Sequence, residues 1–440
     1  MASQDQRLRT ARILHRVGFG PRPGQFASML GASAETLLAA VLAGTAPDAG
    51  LLATPMPPFP YLGRRPAAGS PELEGYRQAQ RRQREGLKLW WLDRMVAARS
   101  AATERLTWFW HGHWATSDKK VDEIGLLARQ NEALRAAARG PFREMARAMV
   151  TDAALIQWLD GQKNMVGQPN ENLAREFMEL FTVGVGHYSE NDVREAARAL
   201  TGWRLVRPTP DALLQPSFDS RRHDAGPVTV LGTTARMAAE DLADLLVSRS
   251  DCPEFLASRL WFRYVSSSTP IPAAVRARVV AGFGSERRIE TALRALVLDP
   301  EFVNPAHQLV KSPVEWFVGA CRSLAVTPSA IEGGNVLSAL AAMGQVPFQP
   351  PSVGGWPAGA GWLTTVAAQK RIGLAARIAA SADLRALASV PAGARTAYLA
   401  DLLGVVAFNP TTARVLTEVT QGPERLLALA LISPEYLVSE

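Results

Sequence analysis

Residues 72–111 read ELEGYRQAQRRQREGLKLWWLDRMVAARSAATERLTWFWH. The first half is polar and built of good helix formers. The second half spaces Leu87, Leu89, Trp90, Leu92, Met95 and Val96 as one face of an amphipathic helix would. The same period recurs on both sides of this stretch. It predicts helices over 121–138, over 142–159 with Met145, Met149 and Leu155 on one stripe, over 170–182 behind Pro169, and over 192–203. Toward the N-terminus, helices are expected over 6–16, closed by the stop signal Gly18-Phe19-Gly20-Pro21, and over 33–42. From Met237 to the end the pattern is helical again, broken by a Pro/Gly-rich loop, 345–361.

The expectation is therefore an all-α chain: a large multi-helix globular fold with long Pro/Gly-rich loops and at most a small β-hairpin. The hairpin would come from 204–232, which holds several prolines and the β-like VTVLG. The proline-crowded 46–71 reads as a loop or arm. Single cores stop growing at roughly 250–300 residues, so 440 residues suggest subdomains. The expected division is 1–203, the excursion 204–236, and 237–440, together forming one compact unit.

The net charge of +7 and a pI near 9.7 raise the question of nucleic acid. The charge is dispersed, with Arg143, Arg194 and Arg288 each close to a glutamate, and forms no basic stripe. That argues against a nucleic-acid partner. Two cysteines, Cys252 and Cys321, make neither a disulfide framework nor a zinc ribbon and read as small buried apolar residues. The N-terminus MASQDQRLRT lacks the apolar core of an export signal, and no apolar run is long enough to cross a membrane. The expected location is cytoplasmic. The glycine-rich segments match neither a dinucleotide fingerprint nor a phosphate-binding loop, so no nucleotide cofactor is expected.

Chemistry concentrates between Trp108 and Trp203. His111 and His113 share a face on a strand but point about 200° apart on a helix, so they converge only if the helix ends near Gly112. Their aromatic neighbours favour neutral imidazole, the form that binds metals, and equally suit a packed aromatic corner. Asn172, Glu176 and Glu179 fall on one helix face at i, i+4 and i+7, with Glu171 and Arg175 beside them. That face suits either a structural ion-pair network or a metal held by the two glutamates. His223-Asp224, on the irregular excursion, can ligate a metal, act as an acid/base pair, or cap a turn. Lys311-Ser312-Pro313-Val314-Glu315 reads as a capping box with proline at the first helical position.

The stretches ARILHRVGFGPRPGQ, LTWFWHGHWATS, NENLAREFMELFTVGVGHYSENDVREAARALTGW, RRHDAGPVTVLG, KSPVEWF and MGQVPFQPPSVGGWPAGAGWL carry a resemblance. Nearly end to end, the chain resembles the bacterial family catalogued as domain of unknown function 1800. The resemblance implies no established activity. Family patterns carry WHNHF where this chain has WHGHW, and His111 and His113 fall on both histidine positions. Asn172, Arg175, Glu176, Glu179, Tyr188, Asp192, Trp203, His223 and Asp224 fall in matching places. The family's HD-x-G-x-K lysine is Val228 here, which weakens an anion-binding role for that segment. Many relatives look exported and are encoded beside a sulfatase-like family, whereas this chain shows no export signal.

Two functions follow as expectations. The first is a metal-dependent enzyme, with hydrolysis ahead of oxidation. His111, His113, Glu176, Glu179 and His223 would hold zinc, iron or manganese; Glu176, His223 and Asp224 would take part in the chemistry and Arg175 would orient the carboxylates. The second is a non-catalytic scaffold or accessory protein whose polar cluster is structural, with a protein partner docking on the 46–71 arm.

Overall fold

The fold is read from a computed structural model that describes residues 3–43, 48–333, 335–419 and 422–439. Helix caps set much of it. Ser3 and Gln6 form a capping box that opens helix Gln4–Arg12. The helix widens into a π-type turn at Ile13–Val17 and stops at Gly18-Phe19-Gly20, with Phe19 at φ 66°. Ser33 caps Ala34–Leu42.

The long 72–111 stretch divides into helices Glu72–Ala97 and Ala101–His113. The break has a visible cause. The Asp48 carboxylate accepts from the backbone N–H groups of Arg99 at 2.9 Å and Ser100 at 2.7 Å, and it also caps the short helix Ala49–Ala53. The expected helix 142–159 divides likewise, because Asp152 caps a new helix, Ala153–Trp158, by accepting from Leu155 N.

The 46–71 arm is partly packed. Beyond its one-turn helix, Phe59 is buried in a core and the Pro60 carbonyl accepts from Gln83 Nε2 at 2.9 Å. Ala46 and Pro47 lie outside the described residues.

Among the described residues the regular structure is otherwise helical, apart from three two-stranded antiparallel ladders and isolated bridges. The excursion supplies two of them, Trp203–Val206 with Gln215–Phe218 and Val228–Val230 with Thr233–Ala235, where a single hairpin was expected. The third pairs Leu309–Val310 with Val438–Ser439 and so ties the C-terminal segment to the start of helix Pro313–Leu324.

Two apolar cores result, and both draw on residues from each side of the excursion. One gathers Trp110, Trp114, Phe142 and Phe177 with Leu256 and Leu293. The other gathers Trp91, Trp108 and Leu127 with Trp316, Trp356 and Leu427. Cys252 and Cys321 are free and buried, as expected; burial pushes the Cys252 thiol up to about 12. Among the described residues, no helix is long and apolar enough to cross a membrane.

Candidate functional site

Helix Ala101–His113 runs through both histidines, so they face apart. His111 Nε2 accepts from the backbone N–H of Phe348 at 3.0 Å, and its ring sits 5.0 Å from Trp91 and 4.9 Å from Phe348. His113 donates from Nε2 to the Phe181 carbonyl at 2.9 Å, among Trp110, Trp114 and Phe142. Burial lowers both imidazoles to about 3, so both are neutral at ordinary pH. Each has committed its Nε2 to the main chain.

Asn170 caps the next helix, Glu171–Glu176, which continues as a π-type turn over Phe177–Thr182. Leu173, Ala174, Phe177, Met178 and Phe181 face the core, which leaves Glu176 and Glu179 on the half-buried side and Asn172 exposed. Burial, and then the charge of Glu179, raises the Glu176 carboxyl. Glu179 accepts from the Tyr188 hydroxyl. Arg175 points outward and pairs with Glu190 at 2.7 Å and Glu171 at 3.1 Å.

His223 and Asp224 close a turn. His223 Nδ1 lies 3.0 Å from the Thr201 carbonyl, while Asp224 pairs with Arg198 at 2.7 Å and accepts from Gly226 N. Asp192 caps its own helix and accepts from Leu231 N at 2.7 Å, joining that helix to the second hairpin.

The expected five-donor metal set does not converge. Among the described residues, no group of three or more His, Cys, Asp or Glu side chains is placed to hold a metal ion. The helix period separates His111 from His113, and a backbone hydrogen bond occupies the Nε2 of each. What stays together is the Glu176–Glu179 pair.

Convergence occurs elsewhere. Three of the stretches that carry the resemblance, together with helices Ala101–His113 and Asp251–Tyr264, meet at a narrow cavity of about 40 Å³. Its apolar walls are Phe19, Phe262 and Trp362. Its polar groups are His15, Arg16, Arg105, Arg263, Lys311, Ser312 and Glu315.

Each of these groups is placed by a specific local device. Ser312 caps helix Pro313–Leu324, and Glu315 completes the capping box by accepting from Ser312 N at 2.9 Å. The other oxygen of Glu315 pairs with Arg105 at 2.6 Å. The Arg105 guanidinium also lies 4.9 Å from the Tyr264 ring centroid. Arg263 donates to the carbonyls of Trp356 at 2.5 Å and Pro357 at 3.1 Å. Burial, and then neighbouring Arg259, lowers Arg263 to about 10.

Lys311 lies between the Leu309–Val310 strand and the Ser312 cap, and its N–H donates to the Leu437 carbonyl. It is 6% exposed, with its ammonium 3.7 Å from the Tyr436 ring centroid. Among the described residues its ammonium has no hydrogen bond or ion pair, and burial lowers it to about 7.

The 345–362 loop closes one side. Trp356 stacks on Trp108 at 5.1 Å and 25°. Gly355, at φ +81°, lies so close to the helix that a Cβ there would sit 2.2 Å from the Gly112 carbonyl oxygen.

Reading Ser312 and Glu315 as a capping box is right, but it hides Lys311. A cation just before a helix N-terminus is electrostatically disfavoured, and that is the one local signal that marks it. Arg105 and Arg263 carry no local signal.

The model of a family described as "Protein of unknown function (DUF1800)" matches residues 12–438. No curated protein and no solved structure matches the chain.

Proposed function

The chain belongs to the DUF1800 family, and from its cationic cavity we propose that it binds a small organic ligand through a carboxylate or phosphate group. One observation carries this reading. Arg105, Arg263 and Lys311 line a single narrow cavity in which Glu315 is the one carboxylate among the described residues. Desolvating an unpaired cation costs roughly several kcal/mol, and an arriving anion would recover much of that. Two guanidinium groups suit a planar carboxylate or a phosphate, and the aromatic walls suit a short carbon skeleton.

Isothermal titration with acetate, sulfate and inorganic phosphate tests this reading. Binding of at least one of them with Kd below about 1 mM is expected, with the heat lost in Arg263→Met. No heat from any of the three overturns it.

A second reading keeps the metal-dependent enzyme, now resting on Glu176 and Glu179. The raised Glu176 carboxyl supports it, because a divalent ion would relieve repulsion between the two side chains. Two carboxylates do not complete a coordination sphere, and no hydrolytic step is derived from them. A melting shift on adding zinc or manganese to chelated protein, abolished in Glu176→Gln, would restore this reading. An unchanged melting curve removes it.

The scaffold role draws support from the Arg198–Asp224 pair, which ties a helix to the excursion, and the Arg175–Glu190 pair, which joins two helices. A partner at the 46–71 arm would meet a segment already seated through Phe59.

A further inference from the structure

The geometry points to Lys311 as an amine nucleophile that condenses with the carbonyl carbon of a small oxo acid whose carboxylate lies on Arg105 and Arg263. The inference rests on the anion-binding reading and names the ligand's second functional group.

Three observations support it. First, Lys311 is more than nine-tenths buried, lines the cavity, and places its amine over the face of Tyr436 with no hydrogen bond or ion pair among the described residues. A structural lysine buried this far is ordinarily paired with a carboxylate, as Lys88 is with Asp118 at 2.7 Å in this same chain. Second, Glu315, the nearest candidate counter-ion, is already shared between Arg105 and the Ser312 cap. Third, the backbone around Lys311 is fixed on both sides by the Leu309–Val310 ladder and the helix cap, so the amine is presented from a rigid base. Burial also favours the unprotonated amine, which is the nucleophilic form.

The step balances within the cavity. The nitrogen lone pair of Lys311 attacks the carbonyl carbon, and the carbonyl oxygen takes up a proton to give a carbinolamine. That hydroxyl then leaves as water while the nitrogen loses its remaining protons, forming a C=N bond in place of C=O. No oxidant or reductant is required. The product is an imine between Lys311 and the oxo acid, with the carboxylate still held by the two arginines.

The test is reductive trapping of the full-length protein with pyruvate and borohydride at about pH 8, followed by peptide mapping. Lys311 is expected to be labelled more than about tenfold above the exposed Lys119, because far more of its amine is neutral at that pH. Excess acetate should suppress this labelling, and Lys311→Arg should abolish it. Labelling confined to exposed lysines overturns the inference, and this readout on the unsubstituted protein does not depend on any variant folding. Failure here is distinguishable from failure of the anion site. If acetate or phosphate binds by titration but pyruvate leaves no adduct, the anion site stands and the nucleophile does not. If no anion binds, both fall.

Discussion

His111 and Phe348 hold each other in place: the Phe348 N–H donates to His111 Nε2, while the Phe348 carbonyl accepts from Asp118 N at 2.9 Å. Phe348 has φ 62°, a conformation that disfavours any side chain, so contacts at both ends of its peptide must maintain it. The histidine therefore anchors the loop that closes the cavity. His111→Phe keeps the ring and removes the acceptor, leaving a buried N–H unpaired. A loss of about 1–3 kcal/mol in urea unfolding is expected. A change within about 0.5 kcal/mol would show that the bond does not hold the loop.

Acid should destabilise this protein through its buried imidazoles, among them His111 and His113; burial also lowers His15. His111 and His113 each have a folded pKa of about 3, below the unfolded value near 6.5. As pH falls through that window, the unfolded chain takes up protons that the folded chain refuses. Stability is therefore complete above pH 6.5 and declines toward pH 3, by up to about 1.4 kcal/mol per pH unit for each histidine. Asp152 works the other way: burial raises it to about 6, which offsets part of the loss between about pH 4 and 6. Denaturation midpoints measured from pH 7 to 4 should fall less steeply in His113→Phe than in the unsubstituted chain. Equal slopes would contradict the assignment.

Lys311→Met should separate stability from binding. The substitution replaces a desolvated, unpaired cation with an apolar chain of similar length. A stability gain of about 1 kcal/mol or more is expected at pH 7. Because the folded lysine titrates near 7 and the unfolded one near 10.4, the unsubstituted protein should gain stability as pH rises from 7 to 8.5. His15, Arg16, Arg105, Arg263, Glu315 and Tyr436 face the same cavity or pack on Lys311 and are common to both proteins. The difference between the two curves therefore isolates Lys311. Anion affinity should drop about tenfold or more, as expected for losing a charged hydrogen bond. A destabilised variant with intact binding would refute this picture.

Gly355→Ala tests the loop's seat on the helix. Its Cβ would collide with the Gly112 carbonyl and would require a positive φ. A loss of about 2–4 kcal/mol is expected, together with weaker anion binding, because Trp356 and Pro357 would lose their hold on Arg263. Unchanged melting and titration curves would show that the contact yields freely.

The helices were legible in the sequence because they are local. Ser33, Ser189 and Ser312 cap where a short polar residue precedes a periodic run, and Gly18 ends the first helix. The breaks at Ala98–Ser100 and at Thr151–Asp152 were not legible. The first depends on Asp48, some fifty residues away, and the second on a cap inside a continuous apolar stripe. The metal set failed for a related reason. His111, His113 and His223 are separate hydrogen-bond anchors for distant backbone, and a sequence pattern cannot show which nitrogen is already engaged. The cavity went unseen because Phe19, Arg105, Arg263, Lys311 and Trp362 come from five different places in the chain, and no local pattern links one to another.

The ladder between Leu309–Val310 and Val438–Ser439 bears on the order of events during synthesis. Lys311 is held against Tyr436 by a strand that cannot form until residue 439 has emerged from the ribosome. Both apolar cores can assemble largely before then, since most of their residues precede this final stretch. The cavity thus matures only after most of both cores is in place. Chains released before residue 434 would retain most of the apolar interior and lack the wall that presents the amine.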